Sequence, residues 1–208
     1  MKQPYAIPAE SQEFSEEIKK SRFITYVDYI GSVDEAKSYI QAVKERHPDA
    51  RHHCWGFIAG APDDTQVLGF SDDGEPSGTA GKPILAQLMG SGLGNVIAVV
   101  VRYYGGVLLG TGGLVKAYSH GVKLILAELK TELYTPKLRY AFTCDYAQWQ
   151  SAELLFQRYN GDISELNYAQ SITMIVALPY SVIDEAAQRL RDMSKGELEL
   201  VPLDNNSN

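Results

Sequence analysis

The chain has 208 residues, of which 45% are hydrophobic and 22% charged, and these values are ordinary for a globular protein with a buried core. Its formal net charge of −7 argues against a protein that grips nucleic acid with its whole surface, so any such contact must be local. The two cysteines are too few for a disulfide framework and too far apart for a C-x-x-C redox or zinc motif.

Nothing in the sequence indicates export or membrane insertion. The segment from Met1 to Lys20 carries several glutamates and lacks the apolar centre of a signal peptide. The longest aliphatic run, Val96 to Val101, is far shorter than the roughly 20 residues that span a bilayer. We therefore expect a cytoplasmic protein without a membrane role. The length favours two small domains over one large domain.

The first half of the chain predicts a mixture of strands and helices. Ser21 to Ile30 is rich in β-branched and aromatic residues and predicts the first strand. Ser32 and Glu35 form a capping box, which begins a helix that Pro48 ends. The next predicted elements are a hairpin of His53 to Ala59 with Thr65 to Phe70, a helix from Pro83 to Gly90 that turns Ile84, Leu85, Leu88 and Met89 inward, a strand Val96 to Val101, and an amphipathic helix Gly113 to Lys130. The strand is apolar on both faces, so we expect it at the centre of the domain.

A linker is predicted at Thr131 to Pro136, where the helical pattern stops. After it the order is strand, helix, strand, strand, helix, strand, and Asn160-Gly161 ends the first of these helices. This is the order of a ferredoxin-like β-α-β-β-α-β unit. The sequence therefore predicts an α+β protein with one module at residues 1–133, another at residues 137–203, and a frayed tail at residues 204–208.

The most unusual segment joins the central strand to the following helix. Its glycine loop, residues 105–113, contains Gly105, Gly106, Gly110, Gly112 and Gly113, which allow positive φ angles and the close approach of a partner. Arg102, Thr111 and Lys116 complete a candidate anion-binding set, because free N–H groups and the helix dipole point at a ligand there. The spacing matches neither the P-loop nor the dinucleotide motif. The alternative is that the glycines only permit tight turns and close helix packing.

A polar loop at residues 71–82, which we name the acidic loop, precedes the helix that begins at Pro83. Its carboxylates Asp72, Asp73 and Glu75 could bind a divalent cation, although their spacing is not that of an EF-hand. The alternative is a solvated loop in which Ser77 or Thr79 caps the helix. We assign the loop no defined role and predict no resident metal or cofactor.

The segment from Arg51 to Trp55 offers imidazoles and a thiol. His52 and His53 are adjacent on a strand and point to opposite faces, so one ion cannot readily bind both. Cys54 would need a spatially adjacent base, and the other histidines of the chain are His47 and His120. The favoured interpretation is a packed strand with one exposed histidine.

A basic stripe lies on the last helix of the first domain. Lys116, His120, Lys123 and Lys130 fall within roughly 80° of arc on that helix, opposite its apolar side. In an acidic chain this stripe is the place where phosphate could be contacted. The alternative is an ordinary solvated face.

Three segments in this order resemble the signature of the IMPACT family: H-H-C-W-G from His52, S-D-D-G-E-P-S-G-T-A-G-K-P from Ser71, and R-Y-Y-G-G-V-L-L-G-T-G-G from Arg102. The resemblance covers roughly Arg22 to Leu129, and the rest of the chain is similar to the C-terminal module of bacterial members. It implies an N-terminal domain of the ribosomal protein S5 domain 2-like type. It also implies a ferredoxin-like C-terminal domain similar to the last domain of elongation factor G.

The resemblance also implies a role in translation. Eukaryotic relatives regulate translation by interfering with activation of a kinase that phosphorylates an initiation factor, and they carry an extra N-terminal interaction domain. We therefore expect a non-enzymatic regulatory protein that binds RNA, the ribosome or a translation-associated partner. The alternative is a phosphate- or nucleotide-handling enzyme that uses the glycine loop, although the sequence offers no recognisable set of nucleophile, base and oxyanion donors.

Overall fold

The protein, described here by a computed structural model of residues 3–203, has the mixed helices and sheets of an α+β fold. Tyr5–Tyr134 form one compact unit, and the chain from Thr135 onward belongs to a second. The predicted tail at residues 204–208 lies outside the described residues. Within residues 3–203, no helix combines the length and the apolar character needed to cross a membrane.

The first unit is built on a five-stranded antiparallel sheet. The unit contains seven strands: β1 (Tyr5–Pro8), β2 (Gln12–Ile18), β3 (Ser21–Tyr29), β4 (His52–Ile58), β5 (Leu68–Ser71), β6 (Val96–Tyr103) and β7 (Thr131–Tyr134). Five of these strands form the sheet, in the order β2-β3-β6-β4-β5. The strand predicted to be central, β6, is the middle strand, and all of its residues except the last are buried.

Three helices cover both faces of this sheet: α1 (Val33–Arg46), α2 (Gly81–Ser91) and α3 (Thr111–Glu128). On one face, α1 shares a core with Val99 and Val101 of β6. On the other face, α2 and α3 share a core with Ala98 and Val100. Because successive residues of a strand point to opposite faces, burial on both sides explains why β6 is apolar throughout.

The predicted start of α1 is confirmed. The Ser32 hydroxyl accepts a hydrogen bond from the Glu35 backbone N–H at 3.1 Å, and the Glu35 carboxylate accepts one from the Gly31 N–H at 2.7 Å. The first bond satisfies an N–H group that the helix start leaves without a partner, and the second holds the backbone just before the helix.

The linker prediction is wrong for Thr131–Tyr134, because these residues form β7. β7 pairs antiparallel with β1, with Tyr5 opposite Tyr134 and Pro8 opposite Thr131. Two strands, β1 and β2, also precede the segment that was expected to be the first strand. The β1–β7 ladder therefore joins the two ends of the first unit.

Two smaller predictions need correction. The hairpin of β4 with β5 is present, with Ile58 opposite Leu68, but Thr65–Val67 form a 3-10 turn and not part of the strand. Met89 was expected to face inward and is instead 49% exposed. The helix that carries it continues to Ser91 and ends at Gly92, whose φ of 72° lies in the left-handed region.

The second unit contains a four-stranded antiparallel sheet. Its elements are β8 (Lys137–Cys144), α4 (Tyr146–Arg158), β9 (Asp162–Tyr168), β10 (Ile172–Pro179), α5 (Ile183–Ser194) and β11 (Val201–Pro202). This is the predicted element order, and the last strand has only two residues. The strand order is β11-β8-β10-β9, and both helices contribute to one core around the perpendicular rings of Phe142 and Phe156.

Candidate functional site

A cleft of about 420 Å³ lies in the first unit between the acidic loop and the glycine loop. It brings together residues from both segments that the sequence singled out, because Glu75 lines it with Arg102, Gly110 and Thr111. His52, at the start of β4, lies on its border. Sequence spacing did not indicate that the two loops would meet.

The floor of the cleft is a buried ion pair. Arg102 Nη1 donates to Glu75 Oε1 at 2.6 Å, and the Tyr118 hydroxyl donates to the same oxygen at 2.7 Å. Only 6% of the Arg102 side chain and 4% of the Glu75 side chain are exposed. Burial, reinforced by Cys54 and Glu75, raises the pKa of Tyr118 far above its usual value, so this phenol stays protonated and donates.

The Arg102 guanidinium is held on several sides. Its Nη2 lies 3.4 Å from the Ser21 hydroxyl, and its Cζ lies 5.5 Å from the Phe23 ring centroid and 5.3 Å from that of Tyr104. Its Nε is buried and has no hydrogen-bond partner among the described residues. Arg102 was predicted to bind an anion, and the structure gives it an internal carboxylate while leaving one donor unused.

The two adjacent histidines face opposite sides, as the strand pattern predicts. His52 Nδ1 lies 2.8 Å from the Asp73 carbonyl oxygen, which can only accept, so Nδ1 carries the proton. Its Nε2 lies 4.0 Å from Glu75 Oε1. His53 is buried on the other side, where its Nε2 lies 3.0 Å from the His47 carbonyl oxygen. One ion cannot bind both imidazoles in this arrangement.

Cys54 is buried beneath the acidic loop, where its thiol lies 3.0 Å from the Asp72 carbonyl oxygen. Burial raises the pKa of this thiol well above its ordinary value. Cys54 is not among the residues that line the cleft. Its geometry is that of a packed side chain and not that of an activated nucleophile.

Each of the three carboxylates of the acidic loop has its own hydrogen-bond partners. Asp72 accepts from the backbone N–H groups of Gly78, Ala80 and Gly81 at 2.8, 3.0 and 2.8 Å, which caps the start of α2. Burial favours a higher pKa for Asp72, but these three bonds hold its pKa below the usual value.

Asp73 accepts from the His53 backbone N–H at 2.7 Å, and Glu75 is turned into the cleft floor. Among the residues described, no three His, Cys, Asp or Glu side chains converge as a metal site would require.

The prediction that Ser77 or Thr79 caps α2 is wrong. Asp72 caps this helix, and the Thr79 hydroxyl donates to the Pro76 carbonyl.

The five glycines of the glycine loop differ in their structural roles. A Cβ on Gly105 would overlap the Lys20 carbonyl, so this position allows the loop to pack against the turn between β2 and β3. Gly106 and Gly110 have φ angles of 82° and 75°, which favour glycine. A Cβ on Gly113 would lie 3.1 Å from Leu109 Cβ, whereas a Cβ on Gly112 would meet no atom within 4 Å. Neither packing nor a left-handed backbone explains Gly112.

The start of α3 carries unused donors. Its first backbone bond runs from the Leu114 N–H to the Gly110 carbonyl at 2.9 Å, so the N–H groups of Thr111, Gly112 and Gly113 have no partner within the helix. Gly110 has no side chain to cap them, and the first turn carries no acidic residue. Gly110 and Thr111 line the cleft, so this helix start faces the ion pair.

Three of the four residues of the basic stripe line a second groove of about 520 Å³, which runs along α3 and which we name the α3 groove. Lys116 and Lys123 are exposed, and neither forms an ion pair with any residue in the range 3–203. His120 lies 3.0 Å from the carboxylate of Glu16 across the groove. Two lysines are therefore available at the rim of this groove.

The position of Lys130 corrects the stripe. The helix ends at Glu128, and Leu129 has the extended angles φ −62° and ψ 125°, so the helical spacing does not apply to Lys130. Its ammonium instead lies 3.0 Å from the carboxylate of Glu10.

Sequence reasoning missed Lys19 and Lys20, which are exposed and directly follow Ile18 of the α3 groove. The adjacent lysine pair was a visible signal, but without β2 nothing connected it to α3.

Comparisons with known proteins assign both units to described families. The Impact N-terminal domain matches residues 19–126, and a domain of unknown function, DUF1949, matches residues 142–197. The IMPACT family member YigZ of Escherichia coli is 52% identical over 200 residues, which cover 96% of this chain and 98% of that protein. A Haemophilus influenzae IMPACT family member is 44% identical over 194 residues, or 93% of this chain and 94% of its own.

The IMPACT family member YvyE of Bacillus subtilis is 42% identical over 118 residues, which cover 57% of this chain and 54% of that relative. A crystal structure described as that of a hypothetical protein is 51% identical, with a TM-score of 0.79 and 98% coverage of both chains. These matches span both units and include all three segments on which the resemblance rested. The chain therefore belongs to the IMPACT family.

Proposed function

We propose that this protein is a non-enzymatic regulator linked to translation, and that it binds RNA phosphate through a lysine face along α3. The lysine face consists of Lys19, Lys20, Lys116 and Lys123. The observation that carries the proposal is the exposure of Lys116 and Lys123 on the rim of the α3 groove, without an ion-pair partner in residues 3–203.

The charge of the whole chain makes this face distinctive. A protein with net charge −7 repels a polyanion over most of its surface, so phosphate contact depends on a local excess of positive charge. An ammonium that is not neutralised by a nearby carboxylate can displace counterions from phosphate, and this displacement supplies sequence-independent affinity. Lys130 does not meet this condition because Glu10 is already its partner.

Family membership supports the link to translation. The IMPACT family is associated with translation regulation, and a protein that acts on ribosomal or ribosome-bound RNA works in the cytoplasm. RNA in the ribosome is the preferred partner here, because the lysine face suits a phosphate backbone. A translation-associated protein would need an acidic surface to bind the same face.

We further infer the detailed folds that the resemblance implies. For Tyr5–Tyr134 the proposal is a ribosomal protein S5 domain 2-like fold. For residues 137–203 it is a ferredoxin-like fold similar to the last domain of elongation factor G. The antiparallel order β11-β8-β10-β9, with two helices contributing to one core, supports the second assignment. Similar architecture in translation factors adds to the functional proposal only by analogy.

Co-sedimentation with ribosomes across a salt series tests the function. We expect Lys116→Ala and Lys123→Ala each to weaken binding and to reduce the slope of log affinity against log salt by about 0.7 for single-stranded RNA. Lys37→Ala is the matched control, because Lys37 is an exposed lysine of α1, on the opposite face of the sheet, and pairs with Asp34. Unchanged binding and slope in the Lys116→Ala, Lys123→Ala double variant would reject the lysine face as the RNA contact.

A further inference from the structure

The cleft between the acidic loop and the glycine loop is separate from the lysine face and shares no lining residue with it. We infer that it binds a small phosphomonoester with a planar body, of the nucleoside monophosphate class. The phosphate lies at the start of α3, and the planar body lies against the apolar wall of the cleft. The inference is independent of the proposed RNA contact, which involves other side chains.

The start of α3 supplies donors for the phosphate. The N–H groups of Thr111, Gly112 and Gly113 have no partner within the helix, and the positive end of the helix dipole lies at the same point. A Cβ on Gly112 would meet no atom within 4 Å, so no neighbouring side chain fills the space beside this residue. Backbone donors in this arrangement suit a phosphate or carboxylate oxygen.

Arg102 provides a second, independent indication that the cleft binds an anion. The residue is 5% exposed, it lines the same cleft, and its Nε has no partner among the described residues. A buried donor without an acceptor is unfavourable, and native proteins seldom leave one without a reason. The Tyr104 ring that lies over this guanidinium is 46% exposed, so it can turn aside without disturbing the core. An oxygen of a bound phosphomonoester would then satisfy the unused donor.

The charges around the cleft favour a single phosphate. Arg51, His52 and Arg102 line it together with one carboxylate, that of Glu75, which already pairs with Arg102. A triphosphate normally arrives with Mg²⁺, which takes carboxylate ligands. Asp72 accepts from backbone N–H groups away from the cleft, and so does Asp73. The cleft therefore suits one phosphate better than a metal-bound chain of three.

The apolar wall of the cleft indicates the chemistry of the part of the ligand that is not phosphate. Its apolar surface comes from Pro76, Tyr104, Leu108, Leu109 and Leu114. Leu108 is 82% exposed and, with the exposed Tyr104 that lines the same cleft, forms an exposed apolar patch, which is typical of a binding surface. A volume of about 420 Å³ lies within the range of roughly 300–1,000 Å³ typical of small-molecule sites. A planar base packed against Pro76 and Leu108 would bury this surface.

Isothermal titration of the full chain tests the inference with four probes: AMP, GMP, adenosine and inorganic phosphate. We expect at least one monophosphate to bind more tightly than either adenosine or phosphate alone. Equal affinity for inorganic phosphate would overturn the assigned ligand class, because the apolar wall would then contribute nothing. Failure of both monophosphates to bind would overturn the inference as a whole.

Two substitutions at one position test where the phosphate lies. Gly112→Asp places a carboxylate at the proposed phosphate position, and an acidic side chain is favourable in the first turn of a helix, so the variant should fold. We expect it to weaken monophosphate binding by about tenfold or more, whereas Gly112→Ala should change it less than about threefold. Equal affinity of the two variants would overturn the assigned position. Lys116→Ala with Lys123→Ala should leave this binding unchanged, which separates it from the RNA contact.

Discussion

Glu75 of the acidic loop and Arg102 of the central strand form an ion pair of 2.6 Å across 27 residues of sequence, and nearly all of both side chains is buried. Removing two charges from water is costly, and their attraction compensates only while both partners remain. The Tyr118 hydroxyl from α3 donates to the same carboxylate oxygen. One carboxylate thus ties together the acidic loop, the sheet and α3.

Loss of the Glu75 carboxylate should be strongly destabilising. Glu75→Ala leaves the Arg102 charge buried without its partner, and we expect the free energy of unfolding to fall by about 3–5 kcal/mol in urea denaturation. Glu13→Ala is the control, because Glu13 is exposed on β2 and should change stability by less than about 0.5 kcal/mol. Similar small effects for both variants would show that the pair contributes little to stability.

The cap of α2 by Asp72 predicts a pH dependence. Its pKa is lowered in the folded protein, so the stabilisation is complete above the unfolded value of 3.8 and is lost as the pH falls through the folded value. Asp72→Asn replaces one of the two acceptor oxygens by an NH2 group and leaves an N–H such as that of Gly78 without its acceptor, which should cost about 1–3 kcal/mol at pH 7. Because a protonated aspartic acid resembles asparagine, the difference between the two proteins should shrink below pH 3.8.

Urea unfolding midpoints measure this difference at three pH values. One is near neutral, one is mildly acidic, and one is below the pKa of Asp72 in the folded protein. A gap between wild type and Asp72→Asn that stays constant over all three would contradict the capping role.

Two glycines of the same loop should respond in opposite ways to alanine. Gly105→Ala forces a methyl group into the Lys20 carbonyl, and we expect a loss of about 1–3 kcal/mol in unfolding free energy. Gly112→Ala meets open space in a helix, so stability should stay equal or rise by up to about 1 kcal/mol. Guanidinium denaturation of both variants provides the comparison. Equal losses at the two positions would mean that packing explains Gly112 as well.

The β1–β7 ladder should determine the stability of the isolated first unit. We propose residues 1–133 and 137–203 as independent modules, so a fragment of residues 1–134 should unfold in one cooperative transition. A fragment of residues 1–130 lacks β7, and the four paired positions of β1 lose their partners. We expect its Tm to be lower by about 4–8 °C for each kcal/mol lost. Identical melting curves would show that the ladder is dispensable, and a 1–134 fragment without a transition would contradict independent modules.

The strongly periodic elements could be predicted from the sequence. The apolar strand β6 lies at the sheet centre as expected, and Ser32 begins α1 as its capping box predicts. In β2, half-buried Phe14, Glu16 and Ile18 face one side, but Glu16 interrupts the apolar alternation and hides the strand signal. β1 and β7 are short, and β7 is fully exposed, so only their mutual pairing identifies them.

The segments that form the candidate site could be predicted from the sequence, but the arrangement of their residues could not. The two loops were both singled out, but the sequence does not show that Glu75 would turn inward to Arg102, because pairing over such a distance depends on the whole sheet. The helical periodicity does not extend to Lys130, because the chain leaves the helix at Leu129. The unequal roles of the five glycines follow from neighbours such as Lys20, which spacing alone cannot identify.

The β1–β7 ladder also sets a sequence of events during synthesis of the chain. The adjoining ion pair between Glu10 and Lys130 spans 120 residues, so β1 leaves the ribosome long before its partner strand exists. At translation rates of about 5–20 residues per second, β1 waits on the order of ten seconds. During this interval the backbone donors and acceptors of Tyr5–Pro8 are available to other strands. Closure of the first unit is therefore a late step, which follows synthesis of its helices and pairs the last strand of the unit, β7, with the first, β1.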